Sequence, residues 1–203
     1  MSDHEQDHYF TAAPASADER RRILVRLDGQ DREVETAGGI FSPGRLDLGT
    51  EVLLRSVPAP PDGALLDLGC GWGPVALTQA LQNPRATVWA VDVNERSLDL
   101  VRRNAELLGI STIHAVRPEE VPQDVQLAEI WSNPPIRVGK AVLHSMLETW
   151  IPRLVPGGSA YLVVQKNLGA DSLQRWIAER FPADEVRRAA SAKGFRVLQV
   201  TRA

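Results

Sequence analysis

A single cysteine, Cys70, stands in the 203 residues, so no intramolecular disulfide can form and no cysteine-based metal cluster can assemble. A reducing cytoplasm is the compartment this suits. Histidine is also sparse: His4, His8, His114 and His144 show no close ligand spacing beyond the first pair, and no metal is assigned. No apolar run approaches the roughly 18 residues of a membrane span. The opening Met1-Ser2-Asp3-His4-Glu5-Gln6-Asp7-His8 is polar and acidic, without the basic start and apolar stretch of a secretory leader, so a soluble cytoplasmic protein is expected. Positive charge is not in excess either. With a net charge of −3 and a pI near 5.8, no global basic field advertises nucleic-acid binding, and any such affinity must be local. Arg20-Arg21-Arg22, Arg102-Arg103, Arg187-Arg188 near Lys193, and Arg137 with Lys140 are the local candidates.

What is present is enough apolar residue, 43%, to bury one core of ordinary domain size. Ala64 to Leu68 reads as a buried strand that enters Gly69-Cys70-Gly71-Trp72-Gly73-Pro74, and Val75 to Leu81 follows with helical spacing. Such a strand, glycine turn and helix brings unpaired N–H groups and a partial positive charge to one spot, where a polar ligand binds. A second strand, Thr87 to Val91, ends in Asp92, 25 residues after Asp67, where a carboxylate accepts hydrogen bonds from ribose hydroxyls. The spacing is G-x-G-x-G with Pro74 where a dinucleotide fingerprint needs glycine, which disfavours NAD. Asp67 would repel a pyrophosphate and attract an ammonium. S-adenosylmethionine meets both conditions; the alternative is a structural glycine turn. Cys70, inside that loop, reads as a small packed residue rather than a nucleophile.

A short strand near Ile113 to Val116 comes third, and Asn133-Pro134-Pro135-Ile136 ends a fourth, apolar strand, Leu127 to Ser132. Two prolines cannot continue a ladder, so the segment is a stiff bend whose carbonyls are expected to lack backbone partners. The Asn133 side-chain oxygen and the Pro134 carbonyl could then hold an NH₂ group as its nitrogen attacks an electrophile; a plain proline turn is the alternative. Of the local basic groups only Arg137 and Lys140 adjoin this bend.

Elsewhere, Arg22 to Leu27 and Arg32 to Thr36 alternate around Asp28-Gly29-Gln30, which predicts a hairpin. Thr50 is expected to cap a helix reaching Val57, Glu95 to Leu108 is an amphipathic helix stopped by Gly109, and Lys140 to Leu154 reads as a helix. Pro156-Gly157-Gly158 then turns into the strand Ala160 to Val164. A helix over Asp171 to Phe181 and the strands Val186 to Ala189 and Phe195 to Thr201 complete the count, the last two antiparallel because Lys193-Gly194 leaves no room for a crossover. The alternation predicts an α/β, Rossmann-like doubly wound sheet, with residues 1–60 as an N-terminal hairpin-bearing extension packed on a core of residues 61–203, one compact unit. Ligands of such sheets sit at the carboxyl ends of strands, where Gly69, Asp92 and Asn133 all fall.

Asp67-Leu68-Gly69-Cys70-Gly71-Trp72-Gly73-Pro74, Val91-Asp92-Val93-Asn94-Glu95, Ser132-Asn133-Pro134-Pro135-Ile136-Arg137 with Gly139-Lys140, and Lys193-Gly194-Phe195 resemble the small-domain class I methyltransferases, in particular the bacterial 16S ribosomal RNA guanine-N2 methyltransferases of the RsmC type. His8-Tyr9-Phe10, Phe41-Ser42, Asp47-Leu48-Gly49-Thr50 and Gln165-Lys166 extend the resemblance over nearly the whole chain. It implies a seven-stranded sheet with a reversed last strand and S-adenosylmethionine held by Asp67, Gly69, Cys70, Gly71, Asp92, Val93 and Asn133. It also implies catalysis at Asn133, Pro134 and Pro135, substrate contacts from Phe41, Ile136, Arg137 and Lys140, and ribosomal RNA or the small subunit as partner. Two features depart from the wider Asn-Pro-Pro pattern. Ile136 replaces the aromatic that stacks on adenine or glutamine, which shifts the expectation to guanine in RNA and leaves stacking to Phe41 or Phe10. Ala115 to Glu119 lacks the Asp common near the adenine of the cofactor. A protein-glutamine or small-molecule N-methyltransferase, or a non-catalytic cofactor- or RNA-binding module, are the other readings.

Overall fold

The computed structural model describes residues 17–40 and 42–203. Two strands, β1 (Arg20–Leu27) and β2 (Gln30–Ala37), form the expected hairpin. Asp28 and Gly29 both take positive φ at its tip, the two-residue turn whose twist matches the flanking strands. Helix α1 (Leu48–Ser56) follows. Its cap is Asp47 rather than Thr50: the Asp47 carboxylate accepts from the Gly49 and Thr50 N–H groups at 2.7 and 3.1 Å, so Thr50 already lies inside the first turn.

The main body alternates β3 (Ala64–Leu68), α2 (Pro74–Gln82), β4 (Thr87–Val91), α3 (Glu95–Leu107), β5 (Ile113–Val116), β6 (Leu127–Ser132), α4 (Lys140–Trp150), β7 (Leu154–Gln165), α5 (Ala170–Arg180), β8 (Glu185–Ala192) and β9 (Phe195–Thr201). The seven strands from β3 to β9 make one sheet in the order β5-β4-β3-β6-β7-β9-β8, with β9 antiparallel to both of its neighbours. The order reverses between β3 and β6, and ligands of such sheets bind at the carboxyl ends beside that point. Ser132 fixes the spot further by donating its hydroxyl to the Leu68 carbonyl at 2.6 Å, which ties the end of β6 to the end of β3.

Two boundaries differ from expectation. Helix α4 stops at Trp150, a short 3-10 turn over Ile151–Arg153 absorbs Pro152, and β7 begins at Leu154. Pro156-Gly157-Gly158 is therefore a bulge within β7 rather than a turn before it, since Leu154 pairs with Leu127 and Ser159 with Glu129. A Cβ on Gly158 would lie 2.9 Å from the Ala128 carbonyl oxygen, so only glycine permits this close approach.

The hairpin packs on the body through Val25, Leu27 and Val34, with Ile40 just after it, against Trp72, Leu77 and Leu100. Asn104 of α3 stitches it down: its side chain accepts from the Glu35 N–H at 2.6 Å and donates to the Glu35 and Trp72 carbonyls at 2.9 and 3.0 Å. One buried amide thus joins the hairpin, α3 and the glycine loop.

Candidate active site

The carboxyl ends of β3 and β6, with the start of α1, enclose an open cleft of about 370 Å³, a volume that includes the solvent at its mouth. Asp47, Thr50, Asp67, Gly69, Cys70, Gly71, Trp72 and Asn133 are among its lining residues. It brings together five of the residues singled out by sequence, Asp67, Gly69, Cys70, Gly71 and Asn133.

The glycine loop is shaped by its backbone. Gly69 and Cys70 donate their N–H groups to the Val91 carbonyl at 2.8 and 3.0 Å, which latches the loop to the end of β4. Gly71 has φ +55 and aims its N–H at the Asp92 carboxylate, 3.0 Å away. The other Asp92 oxygen takes the Asn94 N–H at 2.9 Å. Each carboxylate oxygen accepts more than one donor, so hydroxyl groups can join without displacing these bonds. Asp92 itself is not among the lining residues, and burial raises its pKa. Val93 beside it is 54% exposed.

Asp67 is buried and accepts the Ala76 N–H at 2.9 Å in the first turn of α2. Burial pushes its carboxyl up to about 8, with the neighbouring charge of Asp92 adding to the rise. A cationic group in the cleft would reverse that shift and hold the carboxylate ionised. Cys70 is buried, and burial together with the charges of Asp92 and Asp67 drives its thiol well above the ordinary value, so it lacks the thiolate a nucleophile needs. This pair of carboxylate acceptors suits a ligand with an ammonium at one end and vicinal hydroxyls at the other. Among the described residues no group of three or more His, Cys, Asp and Glu side chains could hold a metal.

Opposite the loop, Asn133 is held by side chains. Its Nδ2 donates to Asp47 Oδ2 at 2.8 Å and to Thr50 Oγ1 at 3.0 Å. Sequence reasoning gave neither Asp47 nor Thr50 a role in the site. The Asp-x-x-Thr spacing signals a helix start, but nothing local says that the capping oxygen also reaches Asn133.

The prolines behave differently from expectation. The Pro134 carbonyl accepts the Ile136 N–H at 2.8 Å and the Pro135 carbonyl accepts the Val138 N–H at 3.1 Å. Pro135, with φ −73 and ψ 77, is the centre of an inverse γ-turn, which supplies the first of these bonds. The proline carbonyls are therefore not free acceptors, although Pro134 keeps a second lone pair. Pro134 is buried, Pro135 is exposed near Gly69, and Ile136 packs partly into the core on the α4 and α5 side. Lys140 is exposed at the start of α4 and Arg137 belongs to the 3-10 turn Ile136–Val138. Phe41, Tyr9 and Phe10 lie outside the described residues.

Comparison with known proteins gives these features a context. Residues 31–199 match the model of the methyltransferase small domain. The uncharacterized protein YbxB of Bacillus subtilis is 32% identical over 197 residues, 95% of this chain and 97% of its own length. A ribosomal RNA small subunit methyltransferase C of Aeromonas hydrophila is 37% identical over 117 residues, 57% of this chain and 33% of that protein. One from Pseudomonas putida is 30% identical over 187 residues, 89% of this chain and 54% of that protein. The chain thus spans about half, or less, of these ribosomal RNA methyltransferases. Among solved structures, the T. thermophilus 16S rRNA N2 G1207 methyltransferase (RsmC), in complex with AdoMet and guanosine, superposes with a TM-score of 0.79 at 25% identity, covering 94% of this chain and 53% of that one.

Proposed function

This chain belongs to the methyltransferase small domain family and is an S-adenosylmethionine-dependent methyltransferase, and from that premise we propose that it methylates an exocyclic amine, the N2 of guanine in ribosomal RNA. The observation that carries the amine reading is the orientation of Asn133. With its NH₂ committed to Asp47 and Thr50, the carboxamide has Oδ1 left to accept, and among the described residues nothing donates to it. An amine supplies the N–H such an acceptor needs.

S-adenosylmethionine, when bound, supplies a methyl group already made electrophilic by its sulfonium. Asp67 would hold the ammonium, the Gly69 to Gly71 backbone would face the amino-acid portion, and Asp92 would take the ribose hydroxyls. Asn133 Oδ1, with the second lone pair of Pro134, would align the amine; placement of this kind can be worth about 7–11 kcal/mol in well-oriented reactions. Guanine's amine lone pair is delocalised into the ring, and accepting its N–H bonds helps localise it on nitrogen. The nitrogen gains one bond to carbon, the departing sulfur keeps the bonding pair, and the surplus N–H proton passes to water. Proton loss from the cationic nitrogen is easy, so Cys70 and the raised carboxyls are not required as bases. A base inside a helix must leave its stack to reach the cleft. Guanine in RNA draws its support from the relatives named as ribosomal RNA methyltransferases and from Ile136, which offers no aromatic face.

Incubation with labelled methyl donor and ribosomal subunits, followed by mapping of methylated nucleotides, tests this. Label at guanine N2 is expected, and label confined to protein overturns the proposal. Asn133→Ala should lower turnover about a hundredfold or more while cofactor affinity stays within a few-fold, in line with loss of one preorganised polar contact to the reacting group.

A further inference from the structure

The anchoring of Asn133 does more than place it. The two ends of a carboxamide are nearly the same size, so an unanchored asparagine can present NH₂ or oxygen to a ligand with little steric preference. Facing an amine, the NH₂ end would set donor against donor. Here both Asn133 N–H bonds have an acceptor of their own, Asp47 Oδ2 at 2.8 Å and Thr50 Oγ1 at 3.0 Å. A carboxylate only accepts, so it admits one orientation of the amide. The same Oδ2 takes the Gly49 and Thr50 N–H groups, which fixes it to the first turn of α1, where negative charge is favoured.

We infer that Asp47 and Thr50 are positioning residues of the transfer reaction: they lock the Asn133 amide with its oxygen toward the substrate amine, and the Asp47 charge strengthens that oxygen as an acceptor. Hydrogen bonds in series polarise one another, so an anion bonded to the amide N–H shifts electron density onto the amide oxygen. The effect grows along the reaction, because the amine starts neutral and becomes cationic as its bond to carbon forms. An acceptor charged through an amide stabilises that change without placing a base beside the electrophile. Asp47 in this role belongs to both α1 and the site, which explains why a helix cap stands at the wall of the cleft. The inference rests on the amine reading above.

Three substitutions separate the parts. Asp47→Asn keeps the cap and an acceptor but removes the charge; Asp47→Ser keeps the cap but is too short to reach Asn133; Thr50→Val removes the hydroxyl with little change of shape. Two readouts apply to the full chain. In ¹⁵N-labelled protein without cofactor or RNA, the Asn133 side-chain NH₂ signal, identified by its loss in Asn133→Ala, should show slow solvent exchange. Asp47→Ser and Thr50→Val should accelerate that exchange at least tenfold. In methyl transfer to ribosomal RNA, Asp47→Asn and Thr50→Val should lower kcat about tenfold and Asp47→Ser further, with KM for RNA nearly unchanged. In an Asn133→Ala background the same substitutions should cost nothing more. An Asn133 signal unchanged in Asp47→Ser and Thr50→Val overturns the lock, and losses that add fully to that of Asn133→Ala reduce Asp47 to a helix cap. A wild-type chain that labels no guanine overturns the substrate reading alone, since the amide signal is read without substrate.

Discussion

On one wall of the cleft the glycine loop is held by bonds made by its own backbone, with Gly69 and Cys70 N–H groups on the Val91 carbonyl, Gly71 on Asp92 and Ala76 on Asp67. On the other, Asn133 is held by side chains that lie 86 and 83 residues earlier in the chain. The first wall tolerates changes of side chain wherever the backbone path is kept, and is sensitive at its glycines and two carboxylates. The second depends on specific polar atoms and tolerates little. On the proposed reading, a site divided this way would separate the binding of the methyl donor, served by backbone N–H groups and buried charge, from orientation of the acceptor, served by a fixed amide. Substitutions should therefore split into those that move cofactor affinity and those that move turnover.

The largest expected pH dependence concerns Asp67. A carboxyl raised to about 8 holds its proton in the folded protein across a range where the unfolded chain has released it. Its contribution to stability thus falls as pH rises from about 4 to about 8. A cation bound beside it favours the ionised form, so binding displaces the proton below pH 8, and cofactor affinity should rise nearly tenfold per pH unit between roughly pH 6 and pH 7.5. Asp67→Asn retains an acceptor for the Ala76 N–H but removes the charge; it should bind cofactor at least tenfold more weakly at neutral pH and lose the slope. Calorimetric titration at several pH values measures both. A wild-type affinity flat with pH would mean that Asp67 is structural and that the cation is met elsewhere.

The contrast between the walls also governs how much was legible in the sequence. The glycine loop, Asp67 and Asp92 could be read because their partners are close by or follow the strand–loop–helix rule, and backbone bonds of this kind recur wherever the local pattern does. Asp47 could not, because Asp47 and Thr50 both satisfy the pattern of a helix start and only the fold shows that their side-chain oxygens meet Asn133. The same limit applies to Pro156-Gly157-Gly158, whose local signal is common to turns and bulges until the Ala128 carbonyl is in place beside Gly158. It applies again at Pro134, where two prolines announce a bend but not the γ-turn that occupies its carbonyl. The doubly wound sheet and its reversed last strand followed from alternation, family resemblance and the short Lys193-Gly194 connection, whereas the strand order is seen only in the fold.

A second buried carboxylate sharpens the comparison because it lies on β6 yet outside the cleft. Glu129 accepts the Trp131 indole N–H at 2.7 Å, and burial raises its carboxyl to about 7. Its folded pKa lies above the unfolded value, so its contribution to stability declines as pH rises from about 4.5 to about 7 and stays low above that. Glu129→Gln resembles the protonated form and still accepts from Trp131. It should match wild type near pH 4 and exceed it by on the order of 3 kcal/mol at pH 8 in urea unfolding, with methyl transfer unchanged. The same pH slope in variant and wild type would show that Glu129 ionises without penalty. A loss of transfer would extend the acceptor wall down β6.

The smallest effects distinguish the walls most finely, through one glycine on each. Gly73 has φ +94, and a Cβ there would meet Val101 Cγ2 at 3.0 Å. Alanine must adopt a left-handed backbone at about 1–2 kcal/mol and also displace Val101, so Gly73→Ala should lower stability by about 2 kcal/mol. Its kcat at saturating cofactor should stay near wild type, because the loop regains its path once the ligand is bound. Gly49 lies in α1 with ordinary helical φ, where alanine gains up to about 1 kcal/mol of helix propensity. A Cβ there meets Phe195 Cε1 at 2.9 Å and Asp47 Oδ2 at 3.0 Å. The two contributions oppose, so the stability of Gly49→Ala should stay within about 1 kcal/mol of wild type. The oxygen that must give way is the one that holds Asn133, and kcat should fall about three- to tenfold. Thermal unfolding and saturating transfer assays on the pair check the contrast. If Gly49→Ala transfers methyl groups as fast as wild type, the acceptor wall has slack in it, and the division into a backbone-built wall and a side-chain-built wall loses its functional meaning.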